Sequence, residues 1–213
     1  MDFIFDPSLV LYLPFYELDG ASFMSRDAYG HLCTRTGALW RLNGHYFDGT
    51  DDYIDCGDDT VFDLGNNTTL LLWLKPADLS GTYAPFGWGT VGSNVYYLQQ
   101  YTDGSLKLRI YRNGALRSTL SNTGIVSAGQ FVFVAVVKNG TAGEIYVDAI
   151  DQTISSEVLH LPDATGKTFH VGRRGEITGN MYKGTIGELA KYNRALTPAE
   201  IQHNYLATKW RYR

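Results

Sequence analysis

The closing stretch of the chain, Gly184 to Arg213, constrains the fold more than any other part of the sequence. An apolar, strand-like run carrying Ile186, Leu189, Ala190 and Tyr192 passes through the turn residues Asn193-Arg194 into a signalled helix start. Thr197 is placed to act as N-cap, Pro198 suits the first helical position, and Glu200 completes a Thr-x-x-Glu capping box. The rest of the chain is poor in helical signals. The core must therefore come from strands, with one short helix closing it.

Strand signals run along the remainder. Val10 to Phe15 reads as a first strand, ended by Pro14 and the turn signal Glu17-Leu18-Asp19-Gly20. In His45 to Asp55, Asp48-Gly49 reads as a tight turn between two strands. Thr68 to Leu74 (TTLLLWL) is continuously apolar, which predicts burial on both faces, and Pro76 ends it. Asn94 to Gln100 and Leu106 to Tyr111 flank Thr102-Asp103-Gly104-Ser105, and Arg112-Asn113-Gly114-Ala115 signals the next hairpin. Gln130 to Lys138 leads to Asn139-Gly140, the strongest hairpin signal present, followed by strands at Glu144 to Ala149, Thr168 to Gly172 and Gly184 to Tyr192. The pattern amounts to roughly a dozen strands at the spacing of an antiparallel sandwich.

The length of 213 residues fits one domain over 1–213, large enough to bury a core without staples. Fifteen Tyr, 10 Phe and 23 Gly suit strands joined by tight turns. A net charge of −4 gives no electrostatic footprint for nucleic acid. Cys33 and Cys56 sit in polar, strand-flanking contexts. They are too few for a metal site; a disulfide between neighbouring strands is open, but the size of the core favours two free thiols. The start, MDFIFDPSLVLYLPF, has no basic region, and Asp2, Asp6 and Pro7 interrupt it, so it reads as neither an export signal nor a membrane span.

Four motifs in order make the pattern specific. Phe47-Asp48-Gly49-Thr50-Asp51-Asp52-Tyr53-Ile54 resembles the FDG-x-DDY-I/V signature of laminin G-like, concanavalin A-like jelly-roll domains. Leu72-Trp73-Leu74-Lys75-Pro76 is similar to a strand end of that family. Glu144-Ile145-Tyr146-Val147-Asp148 resembles its LYVDG strand and turn, with Ala149 in place of the usual glycine. Tyr192 to Thr197, with Glu200-Ile201, matches its YNRAL ending. The resemblance implies an all-β antiparallel sandwich of the concanavalin A-like jelly-roll type with one short C-terminal helix. Ala195 to Tyr212 is similar to the variant found in phage and prophage proteins.

Such folds include glycosidases, whose retaining members need two carboxylates about 5–5.5 Å apart. Neither Glu17-Leu18-Asp19 nor Glu144 to Asp148 supplies the three alternating carboxylates of the laminarinase-type relatives, so no catalytic residue is assigned and no enzyme is expected. The five histidines are dispersed without a zinc spacing. No cofactor is assigned beyond a candidate structural ion. Many relatives hold a structural calcium ion, and the acidic cluster Asp48, Asp51, Asp52, Asp55, Asp58 and Asp59 offers hard oxygen ligands, with Asp48 the leading candidate. The same aspartates are also ordinary turn formers. Relatives often carry an aspartate at the position of Gly187, so one ligand is missing here.

Tyr97, Gln99 and Tyr101 alternate onto one strand face, and Arg109 belongs to the neighbouring strand. Aromatic platforms with Gln and Arg donors suit sugar rings, although strand tyrosines also simply stabilise sheets. Trp88, beside the loop to Asn94, is either a second rim residue or core. Alternating Lys209 to Arg213 either docks a partner or caps the sheet edge with Trp210 and Tyr212. Two functions follow: a non-enzymatic module that recognises a glycan or protein surface, or a virion protein, assembled as an oligomer on a capsid or tail. Either is made in the cytoplasm and shown on a virion or cell surface, without nucleic-acid binding or membrane insertion.

Overall fold

The structure, a computed structural model, describes residues 3–17, 20–90, 94–176 and 179–213. Two expected features fall partly outside them: Leu18-Asp19 of the first turn signal and residues 91–93 of the loop after Trp88. Seventeen strands are present among the described residues, more than the sequence signals suggest. In chain order they are β1 (Leu9–Leu13), β2 (Ser22–Met24), β3 (Leu32–Thr36), β4 (Leu39–Arg41), β5 (Gly44–Asp48), β6 (Tyr53–Asp55), β7 (Asn67–Pro76), β8 (Tyr83–Thr90) and β9 (Asn94–Gln100). There follow β10 (Leu106–Arg112), β11 (Ala115–Ser121), β12 (Val132–Asn139), β13 (Ala142–Val147), β14 (Ile150–Asp151), β15 (Thr153–Ser156), β16 (Phe169–Val171) and β17 (Lys183–Tyr192). One helix, α1 (Pro198–Thr208), closes the chain.

The strands form two antiparallel sheets. An eight-stranded sheet runs β14-β13-β12-β7-β17-β5-β4, with β1 also paired to β17. A nine-stranded sheet runs β15-β11-β10-β9-β8-β16-β6-β3-β2. Stacked face to face, they are the all-β sandwich with a short C-terminal helix that the motifs imply. Between them lie Leu70, Leu72 and Leu74 of β7, Val134 and Val136 of β12, and Trp88, Tyr96, Leu98 and Leu108 from the other sheet. Period-two alternation sends Leu71 and Trp73 to the opposite side of β7, into a second apolar cluster with Phe133, Tyr192, Ile201 and Tyr212. Those two clusters are why TTLLLWL is buried on both faces.

Three local readings change. β5 and β6 do not pair: the first joins the eight-stranded sheet and the second the nine-stranded one. The turn between them is braced by its own carboxylates, Asp52 accepting from the Asp48 N–H at 2.8 Å and Asp48 from the Thr50 N–H at 2.7 Å. Phe47 and Ile54 then both reach the inter-sheet core, which a hairpin in one sheet would not require. At the second site, Asn139 stays paired with Ala142, so the hairpin tip is Gly140-Thr141, and Gly140 takes the positive φ of 60°. Finally, Cys33 and Cys56 are free but fully within the core, because strand alternation turns both inward despite their polar neighbours. The pairing of Thr34 with Asp55 sets the thiols side by side, and burial pushes the Cys56 thiol up.

Candidate functional site

The outer face of the eight-stranded sheet is closed. The capping box forms as the sequence predicts: Thr197 accepts from the Glu200 N–H, and the Glu200 carboxylate accepts from the Thr197 N–H at 2.8 Å. Arg194 ties this helix start to Asp6 and Glu200, both at 2.7 Å. The helix delivers Thr208 to the indole N–H of Trp73, 2.8 Å away. Beyond it Tyr212 stacks on Trp73, with ring centroids 4.7 Å apart. Gly187 lies directly beneath Tyr212, where any Cβ would run into the ring. The glycine that replaces a relative's aspartate is thus required by the C-terminal tail. It also stands at the far end of the β17–β5 pairing from Asp48, whose partner across the strands is Lys183. Tyr212 therefore covers the face of the sheet, not its edge, and Trp210 remains 69 % exposed.

Sealing this face traps one acid. Glu188 receives Tyr12 Oη at 3.4 Å and Arg211 Nη1 at 3.3 Å, while its Oε1 has no partner. Burial raises its pKa to about 7, opposed by Arg211. At the sandwich end, Lys191 donates to the Val61 carbonyl at 2.8 Å, and burial lowers its pKa to about 7.

The outer face of the nine-stranded sheet is built otherwise. Strand registers align one row across it: Ser118, Arg109, Tyr97, Gly87, His170, Asp55 and Thr34. Gly87 is the opening in that row. The segment after β16 returns over it, so that a Cβ at position 87 would meet Gly175 N at 2.5 Å and Arg174 Cα at 2.9 Å. This contact lays Arg174 over the Tyr97 ring at 5.2 Å and Arg173 over Tyr53 at 3.7 Å. Lys107 and Arg109 approach Tyr101 at 4.4 and 5.9 Å. Tyr97 and Tyr111 stack in parallel, 6.4 Å between centroids.

The sequence candidates separate on this framework. Tyr97, Gln99 and Tyr101 share the outer face, with Arg109 beside Tyr97, and Tyr101 Oη donates to Gln99 Oε1 at 2.6 Å. Tyr97 and Gln99, however, are 0 % and 5 % exposed, because Arg109, Tyr111 and Arg174 roof them. They underlie the surface instead of forming it; Tyr101, Arg109, Lys107 and Tyr111 are the half-buried groups at that surface. Trp88 is not a rim residue. It points between the sheets, 0 % exposed and stacked on Tyr96 at 5.3 Å, since its neighbours Gly87 and Gly89 take the outward positions. Arg173, Arg174 and His170 escape the sequence reading. Their signal was Gly-Arg-Arg-Gly (172–175) together with Gly87 and Gly89 in an otherwise apolar strand, a mark of close backbone approach.

Burial lowers the pKa of His170 to about 3, assisted by Arg173. Arg173 donates to Nε2, which leaves the proton on Nδ1, a buried atom without a partner. Burial also pushes the Tyr97 hydroxyl up, opposed by Arg109 and Arg174.

Asp48, Asp51 and Asp52 form the acidic group in which ligand oxygens lie within 4.8 Å of one another. Hard carboxylate oxygens suit calcium. Burial raises the pKa of Asp52, and the charges of Asp48 and Asp51 add to the rise; Lys183, opposite Asp48, is engaged by Asp78 at 2.8 Å. The donor set therefore fits a cation, with two of its oxygens already holding backbone N–H groups. Clefts of 480 Å³ beside Phe131 and Tyr212 and of 430 Å³ among Lys138, His160 and Asp163 lie away from the aromatic row.

Two stacked antiparallel sheets, one outer face sealed by a C-terminal helix and the other polar and aromatic, define a jelly-roll β sandwich. The sequence model of concanavalin A-like lectins and glucanases matches residues 48–202, and the chain belongs to that superfamily. No curated protein is detectably similar in sequence. Among solved structures, the chain is similar to the Trypanosoma rangeli sialidase in complex with sialic acid (TM-score 0.73, 17% identity), covering 97% of this chain and 34% of that one. It is also similar to domain 4 of AbnA, an extracellular arabinanase of Geobacillus stearothermophilus, in complex with arabinotriose (TM-score 0.71, 17% identity), covering 93% of this chain and 98% of that domain. The binding domain of botulinum neurotoxin serotype D gives TM-score 0.72 at 14% identity, over 93% of this chain and 50% of that one. The chain thus spans about a third of the sialidase and half of the toxin domain. At these identities the likeness is one of fold, which glycoside hydrolases and binding domains share.

Proposed function

We propose that this chain is a non-enzymatic carbohydrate-recognition module whose ligand lies on the outer face of the nine-stranded sheet, across Tyr101, Arg109, Lys107 and Tyr111. The observation that carries the reading is the asymmetry of the sandwich: one outer face is sealed, while the other presents aromatic rings and hydrogen-bond donors side by side. Rings of this kind stack on sugar faces and the cations bind hydroxyls. The surface is shallow, which suits an extended oligosaccharide better than an enclosed small molecule. The arabinanase domain seen with arabinotriose, of nearly the same extent, supports the reading. The row offers a single carboxylate, Asp55, where glycoside hydrolysis uses a pair. A glycan array tests it: the wild-type protein binds, and Tyr101→Ala with Tyr111→Ala weakens binding about tenfold, the loss of one or two stacking contacts. Equal binding by that double variant would sink the assignment.

The same proposal includes a structural calcium ion at Asp48, Asp51 and Asp52. Calcium then raises the melting temperature and Asp51→Asn abolishes the rise; an identical melt in calcium and in chelator removes the ion. Display on a virion is the second reading, carried by the likeness of Ala195 to Tyr212 to phage proteins and by exposed Trp210. Light scattering decides it: a Trp210-dependent oligomer favours assembly, and a strict monomer counts against it.

A further inference from the structure

The outer row of the nine-stranded sheet is unbalanced in two ways. Its unpartnered buried atoms are Nε of Arg109, Arg173 and Arg174 and Nδ1 of His170, while the Tyr97 hydroxyl is engaged by Arg109. The three arginine Nε atoms and, by the tautomer above, His170 Nδ1 can only donate. Buried donors are normally satisfied, so a row of unsatisfied ones on one face calls for an acceptor from outside.

Charge points the same way. Arg26, Arg112, Lys183, Arg194, Arg211 and Arg213 all face carboxylates. Lys107, Arg109, Arg173 and Arg174 make no ion pair among the described residues and rest on tyrosine rings. The acids beside them are Asp55, 3.8 Å from His170 Nε2, Glu176, whose carboxylate accepts from Thr90 Oγ1 at 2.7 Å, and Asp103 near Lys107, which accepts from Ser105 at 2.6 Å. Four cations without an ion pair thus lie together on the open face of a protein of net charge −4.

We propose that the glycan bound here is anionic, its carboxylate or sulfate group received between Arg109 and Arg174 above Tyr97. The inference rests on the glycan reading and adds the ligand class. Guanidinium groups meet such oxyanions with paired, charge-assisted hydrogen bonds, and the tyrosine rings beneath hold the arginines in place before binding. Gly87 makes this possible by letting the backbone of Arg173 to Gly175 sit on the sheet.

Calorimetric titration with trigalacturonate and a chondroitin sulfate tetrasaccharide, against neutral maltotriose and arabinotriose, tests it. Both acidic sugars bind about tenfold more tightly than the neutral ones, and the advantage shrinks as salt rises. Arg109→Gln and Arg174→Gln each remove about tenfold of the acidic affinity, and Arg174→Gln, outside the contact set of the neutral sugars, leaves the neutral affinity nearly unchanged. Lys107→Gln, at a half-exposed position, gives a smaller loss in the same direction, and Arg41→Gln on the other sheet gives none. Equal affinity for neutral and acidic sugars overturns the anionic class and keeps the glycan reading. An acidic preference untouched by the arginine variants overturns the site. Binding of none of these sugars, with an array equally blank, overturns both.

Discussion

The two outer faces of this sandwich use the same alternating strands and reach opposite ends. On the eight-stranded sheet, Leu71, Trp73, Phe133 and Tyr192 look outward and are covered by α1 and the tail through Tyr212. On the nine-stranded sheet, Tyr97, Arg109, His170 and Asp55 look outward, and the cover is one turn of backbone resting on Gly87. Each cover is admitted by a glycine: Gly187 receives a ring and Gly87 receives a backbone. The apolar outward row is closed by the helix and tail, whereas the polar aromatic row keeps half-buried rings and cations at its surface.

The largest expected effect tests the closed side. Gly187→Asp, which restores the residue common among relatives, puts a Cβ and a charge into the Tyr212 ring and costs about 3 kcal/mol by urea unfolding. Measured against Tyr212→Gly alone, the same substitution adds a much smaller cost, and glycan affinity stays the same in both; an unchanged increment would show that the tail does not explain the glycine.

Next comes Glu188. Its folded pKa lies near 7, above its unfolded value, so its contribution is fully present below about pH 4.5 and is lost as pH rises through about 7. The wild type therefore loses on the order of 2–3 kcal/mol over that window relative to Glu188→Gln. Parallel melting curves of the two proteins across this range would remove the argument.

Gly87→Ala sharpens the open side. It lifts residues 173–175 and weakens acidic-glycan binding about tenfold, roughly 1.4 kcal/mol, with a smaller change in melting temperature. A melting change without a binding change would make the turn merely structural. The smallest effect belongs to the rim of the closed face, where Ala149 holds φ 66° in the β13–β14 turn. Ala149→Gly removes that strain and stabilises by about 1 kcal/mol, read from the unfolding midpoint.

Much of the fold was legible in the residues. The capping box at Thr197, the Asn113-Gly114 turn with φ 48° and 80°, and the doubly buried TTLLLWL strand all depend on neighbours close in sequence. That Tyr97, Gln99 and Tyr101 share one face was legible too, since alternation is a local property. Whether that set was exposed was not, because Arg174 reaches Tyr97 from a segment distant in the chain. Trp88 illustrates the same limit: one strand cannot say which of its faces meets the other sheet.

The sequence by itself determined the strand and turn spacing, the closing helix and the superfamily, all of which rest on short-range periodicity and ordered motifs. The tertiary structure alone decided that Asp48 to Tyr53 crosses between sheets, that Cys33 and Cys56 turn inward, and that Gly187 belongs to Tyr212. It also decided which outer face stays open. These outcomes depend on which distant segments pack together, and burial is set by whatever arrives on a face, not by the strand that presents it.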